Sequence, residues 1–423
     1  MLYDVAVNDF RGHVSRMPLS PTKILFMGEG ATLAHVARPF LLACALDPLH
    51  FDITFARPSS HAWMTAGSAL RTVDLPCQDG ASFARRLEHG LPLYDFTTLC
   101  RYVEDDLALL DAHRPDVVVG DFRLSLAASA RLRQIPYITI CDAYWSPEYS
   151  LEAPLPVLSF TRFTPIALAE QIFGLVAPLA MRLHARPMER LLARHGLPSF
   201  GHDLRRCYTD ADLRLFANFT GLFPEVRTNE HAAFIGPLAW SAPADGTPTK
   251  LRREGKTLVY ATMGSSGNVN TLERIVSTLE NLDCDVIAST AGKKLTAELR
   301  SSRTRIFDFL PGDLACRQAS LVVCNGGSPT TNQALAHGVP VLGIAQNMDQ
   351  FLNMRAIERA GVGLLLRADR LDRRSLEHSL SRLLDEPGYK ERAIALCRTE
   401  DGRAPATRLA AHIDTLLARR TGS

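Results

Sequence analysis

Lysine is scarce in this chain. Of 423 residues, 47 are Lys or Arg, and only six of those are lysines. A GC-rich coding bias explains this better than a function special to guanidinium groups. Excess charge of one sign is also missing. The 45 Asp and Glu leave a formal net charge of +2, which argues against a dedicated nucleic-acid binder with a basic surface. Cysteine pairs are missing too. Cys44, Cys77, Cys100, Cys141, Cys207, Cys284, Cys316, Cys324 and Cys397 include no C-x-x-C and are odd in number. They read as reduced, mostly buried thiols of a cytoplasmic protein, not as a disulfide framework or a zinc site. The N-terminus has no charged segment leading into an apolar one, so no signal peptide is expected. No run of about 20 apolar residues occurs, so no transmembrane helix is expected either. The nearest run, Ile166 to Leu183, contains Glu170, Gln171 and Pro178 and reads as an amphipathic or buried helix. Any membrane contact would then be peripheral. With 27 Gly and 25 Pro, an ordinary share, collagen-like and low-complexity classes fall away. No short-period repeat is present.

What is present is a globular composition, 46% hydrophobic, in a chain long enough for two domains with cores of their own. Short apolar runs alternate with helical patterns. Lys23 to Met27, Phe51 to Ala56, Asp116 to Gly120 and Tyr137 to Cys141 read as strands, with helices at Leu33–Leu46, Leu107–His113 and Leu124–Leu132. Such alternation means a parallel sheet covered on both faces. From Ser150 to Pro198 the chain is helical, apolar and punctuated by prolines. After a Pro/Ala/Gly-rich stretch the alternation restarts at Thr257. The fold class is therefore α/β: two doubly wound, Rossmann-like parallel sheets facing a central cleft. Residues 1–21 form an extension, 22–240 a first domain, 241–255 a linker, 256–402 a second domain and 403–423 a terminal helix.

The most informative stretch is Asn325-Gly-Gly-Ser-Pro-Thr-Thr-Asn-Gln-Ala-Leu335, after a strand ending at Cys324. Paired glycines allow close backbone approach, and Pro329 suits a first helical turn. Exposed N–H groups at a helix start make an anion site. A plain glycine-rich turn with a Ser or Thr cap is the competing reading. Gly338-Val-Pro, then Asp349-Gln-Phe-Leu-Asn353, then Gly361-Val-Gly363 follow in order. From Ala319 to Leu366 the sequence resembles the donor-binding signature of family 1 glycosyltransferases, which reads H-G-G-x-x-[ST]-x-x-E-A-L, G-V-P, D-Q-x-x-N-A and G-x-G. Phe309-Leu-Pro-Gly312 sits where that family has W-x-P-Q.

The resemblance implies a GT-B fold, with the terminal helix packing back on the first domain. It implies that Gly264, Ser265, Ser266, Asn325, Gly326, Gly327, Ser328, Thr330 and Thr331 hold a diphosphate. Phe309, Leu310 and Gln333 would meet base and ribose, and Asp349 and Gln350 the sugar hydroxyls. Two positions depart from the pattern: Asn325 replaces the family's His and Gln333 its Glu. An amide hydrogen-bonds less strongly than the charged group it replaces.

In the first domain Leu33-Ala-His-Val-Ala-Arg-Pro39 corresponds to the family's G-H-x-x-P, with Ala34 in place of the glycine, and the resemblance puts His35 on the catalytic histidine. A histidine is suited to take a proton from a hydroxyl near neutral pH, and a carboxylate would fix its tautomer. Asp121 is the first candidate for that carboxylate and Asp142 the second. Packing inside a helix for His35, and helix capping for Asp121, are the bland alternatives. Gly28-Glu-Gly30 lacks the third glycine and the acidic residue of a dinucleotide site, and Gly30 instead reads as floor of the acceptor site. Trp145, Tyr149, Leu151, Leu155, Val157, Phe160, Phe163, Ile166, Phe173 and Leu175 would wall an apolar acceptor pocket, with ordinary core packing as the competing use. The expected reaction is inverting transfer from a UDP- or TDP-sugar to an apolar small-molecule or lipid hydroxyl. No D-x-D motif of the kind that metal-dependent transferases use is seen, so no metal and no other cofactor is expected. A nucleotide-sugar epimerase and a non-catalytic nucleotide-sugar-binding partner are the alternatives.

Overall fold

A computed structural model describes residues 20–150, 152–241, 248–264, 267–295, 302–400 and 402–421. The extension 1–21 lies almost wholly outside them, as do residues 242–247 of the linker.

The first sheet has seven parallel strands: β1 (Thr22–Gly28), β2 (Phe51–Arg57), β3 (Arg71–Asp74), β4 (Val117–Asp121), β5 (Tyr137–Cys141), β6 (Leu213–Phe216) and β7 (Ala232–Phe234). Their order is β3-β2-β1-β4-β5-β6-β7. The second has six: β8 (Leu258–Thr262), β9 (Asp285–Ser289), β10 (Thr304–Phe307), β11 (Leu321–Cys324), β12 (Val341–Ala345) and β13 (Gly363–Arg367). Their order is β10-β9-β8-β11-β12-β13. Nearly every residue of β1, β4 and β8 is buried, which is why those strands read as unbroken apolar runs.

In each sheet the order reverses once, between β1 and β4 and between β8 and β11. A doubly wound sheet opens a crevice at such a point, because the connecting helices leave to opposite faces. The loops after these four strands face one cleft, whose volume is about 2260 Å³. An apolar cluster runs between the domains, from Tyr144, Phe219 and Phe223 to Leu335 and Leu352. Ala406, Leu409 and Ile413 of the helix Pro405–Thr421 are buried with Leu42 and Leu46 of the first domain.

The pattern assigns no element between Ala56 and Leu107. The structure has β3 there and a helix, Gly80–Glu88, and its next helix starts at Phe96, where the Asp95 side chain accepts from the Thr98 N–H. The largest difference concerns the apolar run from Ile166. It forms one helix, Ile166–Arg194, that continues through Pro178 and Pro187. Over Ile166 to Leu183 the helix is neither buried nor simply amphipathic. It is long and apolar enough to cross a membrane by length and composition, yet only 11% of its apolar stretch is buried.

Candidate active site

The site begins where β1 ends. Gly28 pairs with Asp121 across the β1–β4 register. A Cβ on Gly28 would lie 3.1 Å from Val36 Cα and 3.2 Å from the His35 carbonyl oxygen. A side chain at Gly28 would push the first turn of helix Leu33–Ala45 a few tenths of an ångström off the strand end. That turn aims His35 at the tip of β4. His35 Nδ1 lies 2.8 Å from Asp121 Oδ1, and both residues line the cleft.

Asp121 is fully buried and also receives a two-pronged bond from Arg38, Nε to Oδ2 at 2.7 Å and Nη2 to Oδ1 at 2.8 Å. Burial alone would raise the Asp121 carboxyl, but the adjacent Arg38 and His35 outweigh it and hold the carboxyl below the usual carboxylate range. An ionised Asp121 only accepts, so Nδ1 of His35 carries the proton and donates it. Nε2 then keeps its lone pair, the arrangement a general base needs.

Asp142, the second candidate for orienting His35, does not reach it. Its Oδ2 accepts from Arg38 Nη1 at 2.8 Å and its Oδ1 from Asn218 Nδ2 at 3.0 Å. Arg38 thus clamps both carboxylates. Nothing in the motif pointed to Arg38. The available signal was its spacing three residues from His35, which places both on one helix face. Phe122 adds a second unexpected element. Its φ is +58°, a left-handed value uncommon for a bulky residue. Its ring stacks on His35 at 4.6 Å between centroids and 12° between planes.

Across the cleft, the helix Ser328–Ala336 starts at Gly327. Asn325 Oδ1 accepts from the Gly327 N–H at 3.1 Å. A Cβ on Gly264 would sit 3.7 Å from Asn325 Nδ2, so the loops after β8 and β11 meet there. Gly264, Asn325, Gly327, Ser328 and Thr330 line the cleft. Thr331 and Gly326 do not. Thr331 is fully buried, accepting from Asn353 Nδ2 at 2.9 Å, and Gly326 makes the turn at φ +81°. Ser265 and Ser266 lie outside the described residues.

Lys293 lines the same end, and its ammonium donates to the Gly267 carbonyl. Sequence reasoning missed it. Phe309 is 65% exposed at the rim with Leu310 buried behind it, and both line the cleft. Gln333 donates through Nε2 to the Trp240 carbonyl at 2.7 Å and to Ser241 Oγ at 3.1 Å.

Asp349 accepts from Trp145 Nε1 at 2.8 Å, which ties the second domain to the first. Burial, reinforced by the charge of Asp142, pushes the Asp349 carboxyl up from its usual range. Gln350 also lines the cleft, but its side-chain carbonyl is committed to the Gln346 N–H at 2.8 Å.

Gly30, Trp145 and Phe163 line the first-domain side. Tyr149 does not: it is buried against Phe223, 5.6 Å between rings. Phe160 and Leu175 point away, and Leu151 is outside the described residues. The segment before the long helix crosses to the second domain. Val157 N–H donates to the Gln346 carbonyl at 2.8 Å, and Arg370 Nη2 donates to the Thr161 and Thr164 carbonyls at 2.6 Å each. The helix then returns over the cleft, with Phe173, Ala177, Ala180, Met181 and His184 lining it.

All nine cysteines are free thiols. Among the described residues no group of three or more His, Cys, Asp or Glu side chains is placed to hold a metal ion.

Comparison with known proteins matches residues 273–413 to the family model of the erythromycin biosynthesis protein CIII-like C-terminal domain. A PGL/p-HBAD biosynthesis rhamnosyltransferase of Mycobacterium bovis is 40% identical over 378 residues, covering 88% of this chain and 83% of the relative. A PGL/p-HBAD biosynthesis glycosyltransferase of Mycobacterium tuberculosis is 39% identical over 376 residues, covering 88% and 87%. The solved structure of the spinosyn rhamnosyltransferase SpnG complexed with thymidine diphosphate superposes with a TM-score of 0.66 at 20% identity, covering 92% of this chain and 99% of that one.

Proposed function

The chain belongs to the family 1 glycosyltransferases, and from that premise we propose that it moves a sugar from a nucleoside diphosphate to a hydroxyl of an apolar small molecule or lipid, with inversion. One observation carries this reading: His35, held by Asp121 through Nδ1, shares a cleft with the amide-rich helix start at Ser328.

The chemistry follows from those two features. His35 Nε2 takes the proton of the acceptor hydroxyl. The hydroxyl oxygen forms a bond to the anomeric carbon as the bond to the diphosphate oxygen breaks. The electron pair leaves on the nucleoside diphosphate. The N–H groups of Ser328 and Thr330 and the helix dipole meet that charge, with Lys293 beside them. No metal is assigned a part. Asp121 stabilises the imidazolium formed. Arg38 balances the carboxylate, so that His35 can give the proton up afterwards. Asp349 and Gln350 hold the transferred sugar, and Phe309 covers the base. Rhamnosyltransferases among the similar proteins, one of them solved with thymidine diphosphate, make a TDP- or UDP-linked rhamnose the first donor to try. The nine free thiols fit a reducing, cytoplasmic setting.

The epimerase alternative gains no support from the comparisons, and the intact His35–Asp121 pair argues against a non-catalytic role. The test is to incubate the protein with nucleotide sugars and apolar alcohols and to measure nucleotide release. Release that needs an acceptor and disappears in His35→Ala is expected. Epimerised donor without acceptor, or silence across a broad panel, would overturn the reading.

A further inference from the structure

We propose that the outward face of the helix Ile166–Arg194 docks on an anionic bilayer, lying in the plane of the membrane over the mouth of the cleft. Successive helical residues are turned by about 100°. On that spacing Leu168, Ile172, Leu175, Val176, Leu179 and Leu183 fall on one stripe, opposite the residues that line the cleft. All six are exposed, Leu175 by 84% and Leu179 by 62%. A helix apolar on two opposite faces is not what water-facing surface calls for. The stripe runs about 22 Å at 1.5 Å per residue, and the rim adds Phe163, 89% exposed.

Charge selects the occupant. Toward its C-terminal end the same stripe carries Arg182, Arg186 and Arg190, all exposed, with the Arg190 guanidinium 4.3 Å from the Phe96 ring. Glu170 lies on the far side of the helix. Apolar side chains followed by a row of cations match an acyl boundary beneath anionic headgroups. A second copy of the chain fits poorly. Parallel contact would set arginine against arginine, and antiparallel contact would set arginine against the bare leucine end. The helix does not span the bilayer, because Ala185, Met188, Leu191 and Leu192 are locked in the first-domain core.

Docking rests on the helix alone. Delivery of a membrane-held acceptor into the cleft rests in addition on the proposed transfer reaction. The experiment is co-sedimentation with phosphatidylcholine vesicles, with and without phosphatidylglycerol. Wild type is expected to sediment with the anionic vesicles. I172E/L179E is expected to bind them at least about tenfold more weakly, with unchanged melting temperature and unchanged turnover of a water-soluble acceptor. R182E/R186E, which leaves the leucines in place, is expected to lose about tenfold and with it the preference for phosphatidylglycerol. Equal sedimentation of wild type and both variants overturns the proposal. So does a solution dimer that I172E/L179E dissociates while wild type ignores vesicles. Vesicle binding without nucleotide release from any donor would sink the transfer reaction and leave docking standing.

Discussion

The two switch points that face each other across the cleft are built from opposite materials. After β1, β4 and β5 stand His35, Arg38, Asp121 and Asp142, ionisable side chains joined by bonds of 2.7–2.8 Å. After β8 and β11 stand glycines, hydroxyls and amides, and among the described residues lining that side Lys293 is the one cation. The fold is the same and the crevice is the same, so the difference reflects what each side must do. A proton can be moved only by groups that change charge, and such groups survive burial only when paired. A diphosphate can be held by fixed N–H groups, which need no counter-charge of their own. This also explains how a chain with a net charge of +2 and six lysines can bind an anionic donor.

The comparison breaks first at His35. His35→Ala should lower turnover by about 10²–10⁴-fold and leave nucleotide affinity unchanged, read by nucleotide release beside calorimetric titration of the diphosphate. If affinity falls in step with turnover, the two sides are not separable.

Asp121→Asn should lower turnover by about 10²-fold, since an amide can offer His35 a donor and reverse its tautomer. It should also cost about 3–5 kcal/mol of stability by leaving buried Arg38 half-paired. The sign of the pH dependence follows from the depressed Asp121 carboxyl. Its contribution is fully present above the ordinary carboxylate value of about 3.9 and is lost as pH falls through the lower folded value. The stability gap between wild type and variant should therefore be widest above about pH 4 and close below it. Denaturant melts across that window would show it, and a gap that widens on acidification would contradict it.

The donor side was the more legible in sequence, and for a physical reason. A loop that binds through its backbone needs glycines, a proline and a helix start at fixed spacing, so Asn325 to Leu335 announces itself. Even there, Gly326 and Thr331 shape the loop and do not line the cleft. The catalytic side is assembled from β1, β4 and β5, far apart in the chain. His35 and Asp121 were singled out by resemblance and lie 2.8 Å apart, whereas Arg38 and the left-handed Phe122 were not singled out. Their roles depend on where strand ends meet, and no local spacing records that. The alternation of strands and helices was plain, because strands buried on both faces are apolar throughout. The long helix was misjudged, since composition gives its periodicity but not what covers it.

On the donor side the expected effects are smaller and fall on binding. Gly326 sits at φ +81°, and a Cβ there would lie 2.6 Å from Met354 Cγ. Gly326→Ala should cost about 1–3 kcal/mol through the backbone and shift the loop. The expected readout is donor affinity about tenfold weaker with turnover at saturating donor retained. A fall in saturated turnover would mean that this loop positions the reacting atoms as well as the anion.

The smallest and sharpest test is Gln333→Glu, which installs the carboxylate the family has. Gln333 donates to the Trp240 carbonyl at 2.7 Å and to Ser241 Oγ at 3.1 Å. A carboxylate cannot donate to a carbonyl, so the substitution sets two acceptors against each other in a nearly buried spot. It should cost about 1–3 kcal/mol of thermal stability, while donor affinity changes by only a few-fold. On this account Gln is present because the Trp240 carbonyl demands a donor at that point, and the amide is part of how this chain joins its two domains. If Gln333→Glu instead leaves stability untouched and tightens donor binding tenfold or more, the amide is a weakened ribose contact, and the donor side is less fully a matter of backbone than its geometry indicates.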